Sequence, residues 1–269
     1  MFAEFRQETS ALTKRWFIQL ARRPVTLVVG VVQPLMWLIL FGALFRNAPA
    51  EFFDGGQTYI QFLAAGVIVF TAFSGALNAG LPLMFDREFG FLNRILVAPL
   101  ASRFSIVLAS ALFILTLSLI QSAAIVGVSA LMGATLPSWA GIGILAIVVG
   151  LIVVCFTMLS LGVAFALPGH QEMLALIFLI NLPLIFSSTA LAPLSFMPTW
   201  LQWIASLNPL SWAIEPIRYV YSHSQWDWQA VVLRAPWGNL TLANALLALV
   251  GLAILIALAI RNTLRKGIA

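Results

Sequence analysis

From Phe104 to Gln171 the chain carries no aspartate, glutamate, lysine or arginine. A helix needs roughly 20 residues, at about 1.5 Å of rise each, to cross about 30 Å of hydrocarbon. The uncharged stretch is therefore long enough for two crossings, and apolar runs of similar length recur on both sides of it. Of the 269 residues 62% are apolar and only 9% charged, where a soluble domain has about 25% charged residues. The mean hydropathy is +1.03. Strands of a membrane barrel would alternate polar and apolar residues, so the runs predict an all-α polytopic membrane protein.

Residues 2 to 20 place Phe2, Phe5, Thr9, Leu12, Trp16 and Leu20 near one helical face, with Gln7, Lys14, Arg15 and Gln19 elsewhere. That pattern predicts an amphipathic helix over 1–24 lying along the membrane. No short apolar core precedes a small-residue cleavage site, so no removable signal peptide is expected. Pro24 suits a helix start, and six spans are expected at about 25–45, 59–81, 104–132, 139–166, 173–192 and 239–260. In the second, Ala72, Ala76 and Gly80 form a small-residue stripe suited to close packing. Residues 193–238 are broken by Pro193, Pro198, Pro209 and Pro216. They read as short re-entrant helices, with Trp200, Trp203 and Trp212 at headgroup depth.

Six spans put both termini on one side. Segments 1–24, 82–103 and 261–269 hold five, three and three basic residues, eleven of the fourteen Lys and Arg in the chain. By the positive-inside rule these segments face the cytoplasm. The basic residues end apolar runs and do not form an aromatic-interleaved patch, so membrane topology explains the charge better than nucleic acid does.

The segment MFDREFGFLNRILVAPLASR, residues 84–103, concentrates five charges between two apolar runs. A helix over 84–97 would put Phe85, Phe89, Leu92 and Leu96 on one stripe, facing the bundle. Asp86, Arg87, Asn93 and Arg94 would lie on another, facing the cytosol. A solvated topogenic loop is the plainer reading of the charge. The two phenylalanines four apart, with Gly90 permitting close backbone approach, favour a docking surface.

This segment, with LAPLSFMPTWLQWIASLNPLSWAIEPIR after the fifth span, resembles the ABC-2 family of ATP-binding-cassette exporter permeases, in its drug-resistance and nodulation-protein-like branch. The resemblance covers essentially the whole chain, 25–269 corresponding to the transmembrane domain. It implies that 84–97 is a coupling helix, with Phe85, Asp86, Arg87, Glu88, Phe89 and Gly90 at the contact with a separate ABC ATPase subunit. It further implies two ATPase copies, a homodimer of the permease, and an inner-membrane location with both termini cytoplasmic.

A P-loop needs a lysine before serine or threonine. Lys14 precedes Arg15 and Lys266 precedes Gly267, so ATP and magnesium are expected on the partner, with no cofactor in this chain and no catalytic residue. The expected spans contain no charged residue, which argues against the rival reading, a nucleotide-independent secondary transporter or channel. An intramembrane enzyme would lack a base at membrane depth. Gln33, Gln61, Asn78, Gln121 and Asn181 read mainly as interhelical hydrogen-bond partners. Of these Gln33, Gln121 and Asn181 are candidates for the substrate path. His170 and His223 fall on opposite faces and cannot share a metal. Cys155, the single cysteine, lies in an apolar run and forms no intrachain disulfide. Glu215 and Arg218, three apart, read as an exposed pair contributing only tenths of a kcal/mol, or as an exit-gate pair if their segment dips into the leaflet. The expected activity is ATP-driven export of an amphipathic or lipid-linked substrate (drug, glycolipid or polysaccharide) from the cytoplasmic leaflet.

Overall fold

The computed structural model describes residues 2–22, 24–46, 58–90, 104–223 and 225–267. Helix α1 (Phe2–Ala21) is followed by α2 (Pro24–Leu44), α3 (Tyr59–Leu77) and α4 (Gly80–Glu88). The long helices α5 (Phe104–Leu131) and α6 (Trp139–Ala166) precede α7 (His170–Phe186). Two short helices, α8 (Thr199–Leu207) and α9 (Pro209–Ser222), lead to strands β1 (Val231–Ala235) and β2 (Gly238–Thr241), and α10 (Leu242–Gly267) follows.

Among the described residues, four helical stretches are long and apolar enough to cross a membrane: 59–88, 105–131, 139–166 and 242–261. The first and fifth expected spans are shorter apolar helices, 28–44 and 170–186. Large apolar side chains are exposed along them, among them Val28, Met36, Phe178 and Phe186. Such surface would be costly in water and is ordinary against lipid.

Helix α3 is the most enclosed element, packed on α2, α5, α6 and α9. Phe73 and Phe156 meet edge to face at 4.6 Å between ring centroids, at the centre of the core. The expected stripe is realised: Ala72, Ala76 and Gly80 are buried. A Cβ on Gly80 would lie 2.5 Å from the Ser160 carbonyl oxygen, so only glycine permits this approach of α4 to α6. Ser160 Oγ also bridges the break between α3 and α4, accepting from the Gly80 N–H at 2.9 Å and donating to the Leu77 carbonyl. The two helices therefore continue each other. At the start of the rod, Thr58 and Gln61 form a reciprocal capping box. Gln61 also donates to Thr135 Oγ1, which donates to the Tyr221 carbonyl on α9.

Three expectations are corrected. Within the described residues the charged helix is Gly80–Glu88, beginning before the expected residue 84 and capped by Phe89, and Gly90 at φ +73° interrupts the single helix expected over 84–97. Residues 91–97, with Leu92, Asn93, Arg94 and Leu96, lie outside the described residues. The described fold is mostly helical, as expected, and departs from helix alone at the β1–β2 hairpin, which pairs Leu233 with Leu240 and Ala235 with Gly238 around Pro236 and Trp237. Leu233, Leu240 and Ala245 make a small core of their own beside Leu194 and Trp212. Finally, residues 239–241 belong to β2, so the last long helix starts at Leu242 and not at 239.

Candidate functional site

Helix α4 ends in three consecutive charges, and each is engaged by a different element. The Asp86 carboxylate accepts from Arg15 Nη2 of α1 at 2.8 and 3.0 Å. Arg87 donates to the carbonyls of Ala164 (2.9 Å), Leu167 (2.5 Å) and Pro168 (2.8 Å), where α6 ends. The last carbonyls of a helix have no partner within it and carry its negative dipole end, so a guanidinium satisfies both needs. Glu88 accepts from the His170 backbone N–H and lies against His170 Nδ1, both at 2.7 Å. Gly169, at the N-cap of α7, has no side chain with which to cap it, and Glu88 supplies the missing acceptor.

The donated His170 N–H is the main reason that the Glu88 carboxyl is held below the usual glutamate range. Partial desolvation opposes this, and the His170 ring and Arg87 charge reinforce it.

The faces of α4 are thus reversed from expectation. The charges face the bundle because unpaired helix ends sit there, and the aromatic residues face out. Phe89 is 81% exposed. Phe85 stacks on it at 6.2 Å and touches the His170 ring at 5.2 Å. Phe85, Phe89 and His170 form an apolar knob on a base fixed to α1, α6 and α7. Arg15 and His170 are essential to that base and were missed as site residues. The sequence pattern places Arg15 only away from the apolar face of its helix and His170 only on the face opposite His223, and no local pattern ties either to residues more than seventy positions away.

Among the candidate polar residues, Gln33 and Asn181 line one cavity of about 330 Å³ between α2, α3 and α7. Asn78, whose Nδ2 donates to the Ser74 carbonyl at 2.7 Å, lines it too, and most of the rest is apolar, including Trp37, Phe70, Phe178 and Phe186. Asn181 Nδ2 reaches Ser74 Oγ at 3.3 Å. Gln121 is elsewhere, donating to the Gly30 carbonyl at 2.8 Å and so joining α5 to α2. Gly66 lines the cavity and packs so closely that a Cβ there would fall 2.4 Å from the Ala190 carbonyl oxygen.

Glu215 and Arg218 are buried, correcting the expectation of an exposed pair. Their ion pair spans 2.5 Å, Arg218 Nη2 donates to the Thr189 carbonyl at 2.8 Å, and the guanidinium lies 3.6 Å from the Phe62 ring centroid. A buried pair desolvates both charges, so its partners must all be present. Trp200 and Trp203 on α8 are exposed and Trp212 is half-buried.

Residues 7–221 match the family profile described as ABC-2 type transporter. The chain is 54% identical over 262 residues to a Porphyra purpurea protein named a transport permease, ycf38, in an alignment covering 97% of this chain and 90% of that one. Its counterpart in Pyropia yezoensis is 52% identical over 259 residues, covering 96% and 89%. A Mycobacterium tuberculosis protein named a doxorubicin resistance ABC transporter permease is 27% identical over 225 residues, covering 78% and 74%. A profile matched along most of the chain, and close similarity to transport permeases over nearly all of it, make this an integral membrane protein and a permease of the ABC-2 type transporter family.

Proposed function

We propose that the chain is the membrane subunit of an ATP-driven exporter, working as a homodimer with two copies of a separate ATPase that dock on the knob formed by Phe85, Phe89 and His170. ABC-2 permeases normally work with a separate ATPase subunit. The observation that carries the reading is the mounting of the knob. Its exposed aromatic tip sits on a charged base joined to α1, α6 and α7, so a displacement applied at Phe89 reaches three elements at once. Direct contact with the partner thus falls to Phe85, Phe89 and Gly90, while Asp86, Arg87 and Glu88 transmit. The knob faces the cytoplasm, as do both termini, and ATP and magnesium belong to the partner.

The cargo is amphipathic or lipid-linked, taken from the cytoplasmic leaflet. The largely apolar cavity lined by the amide residues Gln33, Asn78 and Asn181 supports this, its size being within the common range for ligand pockets. The resistance of relatives to doxorubicin and daunorubicin, given in their names, fits such cargo. Glu215 and Arg218 close the opposite end as an exit gate.

The test is co-purification of a cognate ABC ATPase with the wild-type permease and with the Phe85→Ala, Phe89→Ala double variant. Loss of two aromatic anchors should weaken association by more than about tenfold, with helix content unchanged. Association at the wild-type level would refute docking at the knob. Transport by the permease without any ATPase would instead support a secondary carrier or channel.

A further inference from the structure

We infer that the groove between α1 and α5 is a binding site for an anionic phospholipid, its phosphate held by Arg6, Ser10 and Lys14. The groove is a cavity of about 940 Å³, with Arg6, Ser10 and Lys14 along its α1 wall and Leu108 and Leu112 on α5. Arg6, Ser10 and Lys14 are four residues apart in succession and share one face of α1. Arg6 and Lys14 are about 12 Å apart along the axis, and their long side chains can meet over Ser10 between them.

Three observations make this a lipid site. First, the other polar groups of the wall are occupied: Thr9 Oγ1 donates to the Phe5 carbonyl at 2.8 Å, and Thr13 Oγ1 to the Thr9 carbonyl at 2.7 Å. Among the described residues, Arg6, Ser10 and Lys14 make no hydrogen bond or ion pair, unlike Arg15, Arg87 and Arg218. Second, the floor is apolar and partly exposed: Leu108 is 37% and Leu112 40% accessible. They lie about 6 and 12 Å along α5 from its first residue, at the depth of acyl chains, where a soluble anion or an acidic peptide would gain nothing. Third, the arrangement reproduces the ligand's own polarity, two cations and a hydroxyl at headgroup level above a hydrocarbon wall.

Occupancy would have a mechanical effect. Trp16 already stacks on Phe113 of α5 at 6.1 Å and Phe17 meets the same ring edge-on at 5.1 Å, and Arg15 on the same helix holds Asp86. A lipid clamped between α1 and α5 fixes the helix that anchors α4.

The experiment is native mass spectrometry of the full chain in detergent, titrated with phosphatidylglycerol and with phosphatidylcholine of the same acyl chains. Two juxtamembrane cations should give phosphatidylglycerol a preference of about thirtyfold. That preference should collapse in the Arg6→Ala, Lys14→Ala variant and change less than about twofold in Arg22→Ala, which removes a cation outside the groove. Leu108→Trp with Leu112→Trp, which fills the floor and keeps the charges, should weaken both lipids; it also serves as the test if the alanine variant misfolds by circular dichroism. Inorganic phosphate in excess should not compete. An unchanged preference in the double alanine variant, an equal loss in Arg22→Ala, undiminished binding in the tryptophan variant, or displacement by inorganic phosphate would each overturn the site.

Discussion

Arg87 and Glu88, neighbours in sequence, bind opposite poles of two successive helices: Arg87 the carbonyls that close α6, Glu88 the first amide of α7. The turn at Pro168 and Gly169 brings those poles together, and a cation beside an anion is the pair that suits them. The charges of α4 therefore tie it to its neighbours, and Phe85 and Phe89 are left on its outer surface.

Removing the Arg87 guanidinium leaves three carbonyls without their donor. Arg87→Ala should destabilise the junction by about 1 to 3 kcal/mol. Arg87→Lys should recover only part of this, because its three N–H groups radiate from one nitrogen and cannot reproduce the planar fork that reaches these carbonyls from two nitrogens. Amide exchange along 160–175 should quicken in both variants, more in the alanine one.

The Glu88 contact should depend on pH. Its carboxyl is lowered in the folded state from an ordinary value of about 4.3. Its contribution is therefore complete above that value and is lost as pH falls through the folded one. The difference in thermal stability between wild type and Glu88→Gln should be steady at neutral pH and vanish on strong acidification. A difference that grew toward acid would contradict this sign.

Arg218→Ala should cost about 3 to 5 kcal/mol, because it strands the buried Glu215 charge, whereas Glu215→Leu with Arg218→Met should restore much of that loss. Denaturant titration of the three proteins would measure both effects. A double variant as unstable as the single one would mean that the guanidinium's contacts with Thr189 and Phe62 outweigh the ion pair.

Gly66→Ala should destabilise by about 1 to 3 kcal/mol, since the methyl would meet the Ala190 backbone. Gly127→Ala, where a Cβ meets nothing within 4 Å, should be neutral or stabilising by up to about 1 kcal/mol. The thermal midpoint should fall for Gly66→Ala and hold or rise for Gly127→Ala.

On a Cys155→Ala background, Phe89→Cys should escape an impermeant thiol reagent in intact cells while Trp237→Cys reacts. Labelling at position 89 would reverse the proposed orientation.

Much of this architecture was legible because membrane spans are written in composition: the uncharged stretch from Phe104 to Gln171 holds α5 and α6 nearly to their ends. The Glu215–Arg218 pair was visible in its spacing, but its burial was not, since that depends on Phe62 and Thr189 from distant elements. The faces of α4 were misread because periodicity reports how residues divide and not which half meets unpaired backbone. The hairpin carried a signal in VVLRAPWGNLT, two short β-prone runs around a turn with Pro236 and Gly238; the prolines of the surrounding segment drew it into a helical reading.

The rod made by α3 and α4 is fastened at both ends, by Gln61 through Thr135 to Tyr221 at one and by Asp86, Arg87 and Glu88 at the other. Its two fastenings are consequently held in rotational phase. One residue inserted between them would turn one set by about 100° against the other, releasing either the clasp on α9 or the charges on α1, α6 and α7. Seven inserted residues would nearly restore the angle but lengthen the rod by about 10 Å. The segment between Gln61 and Asp86 should thus accept changes of side chain far more readily than changes of length.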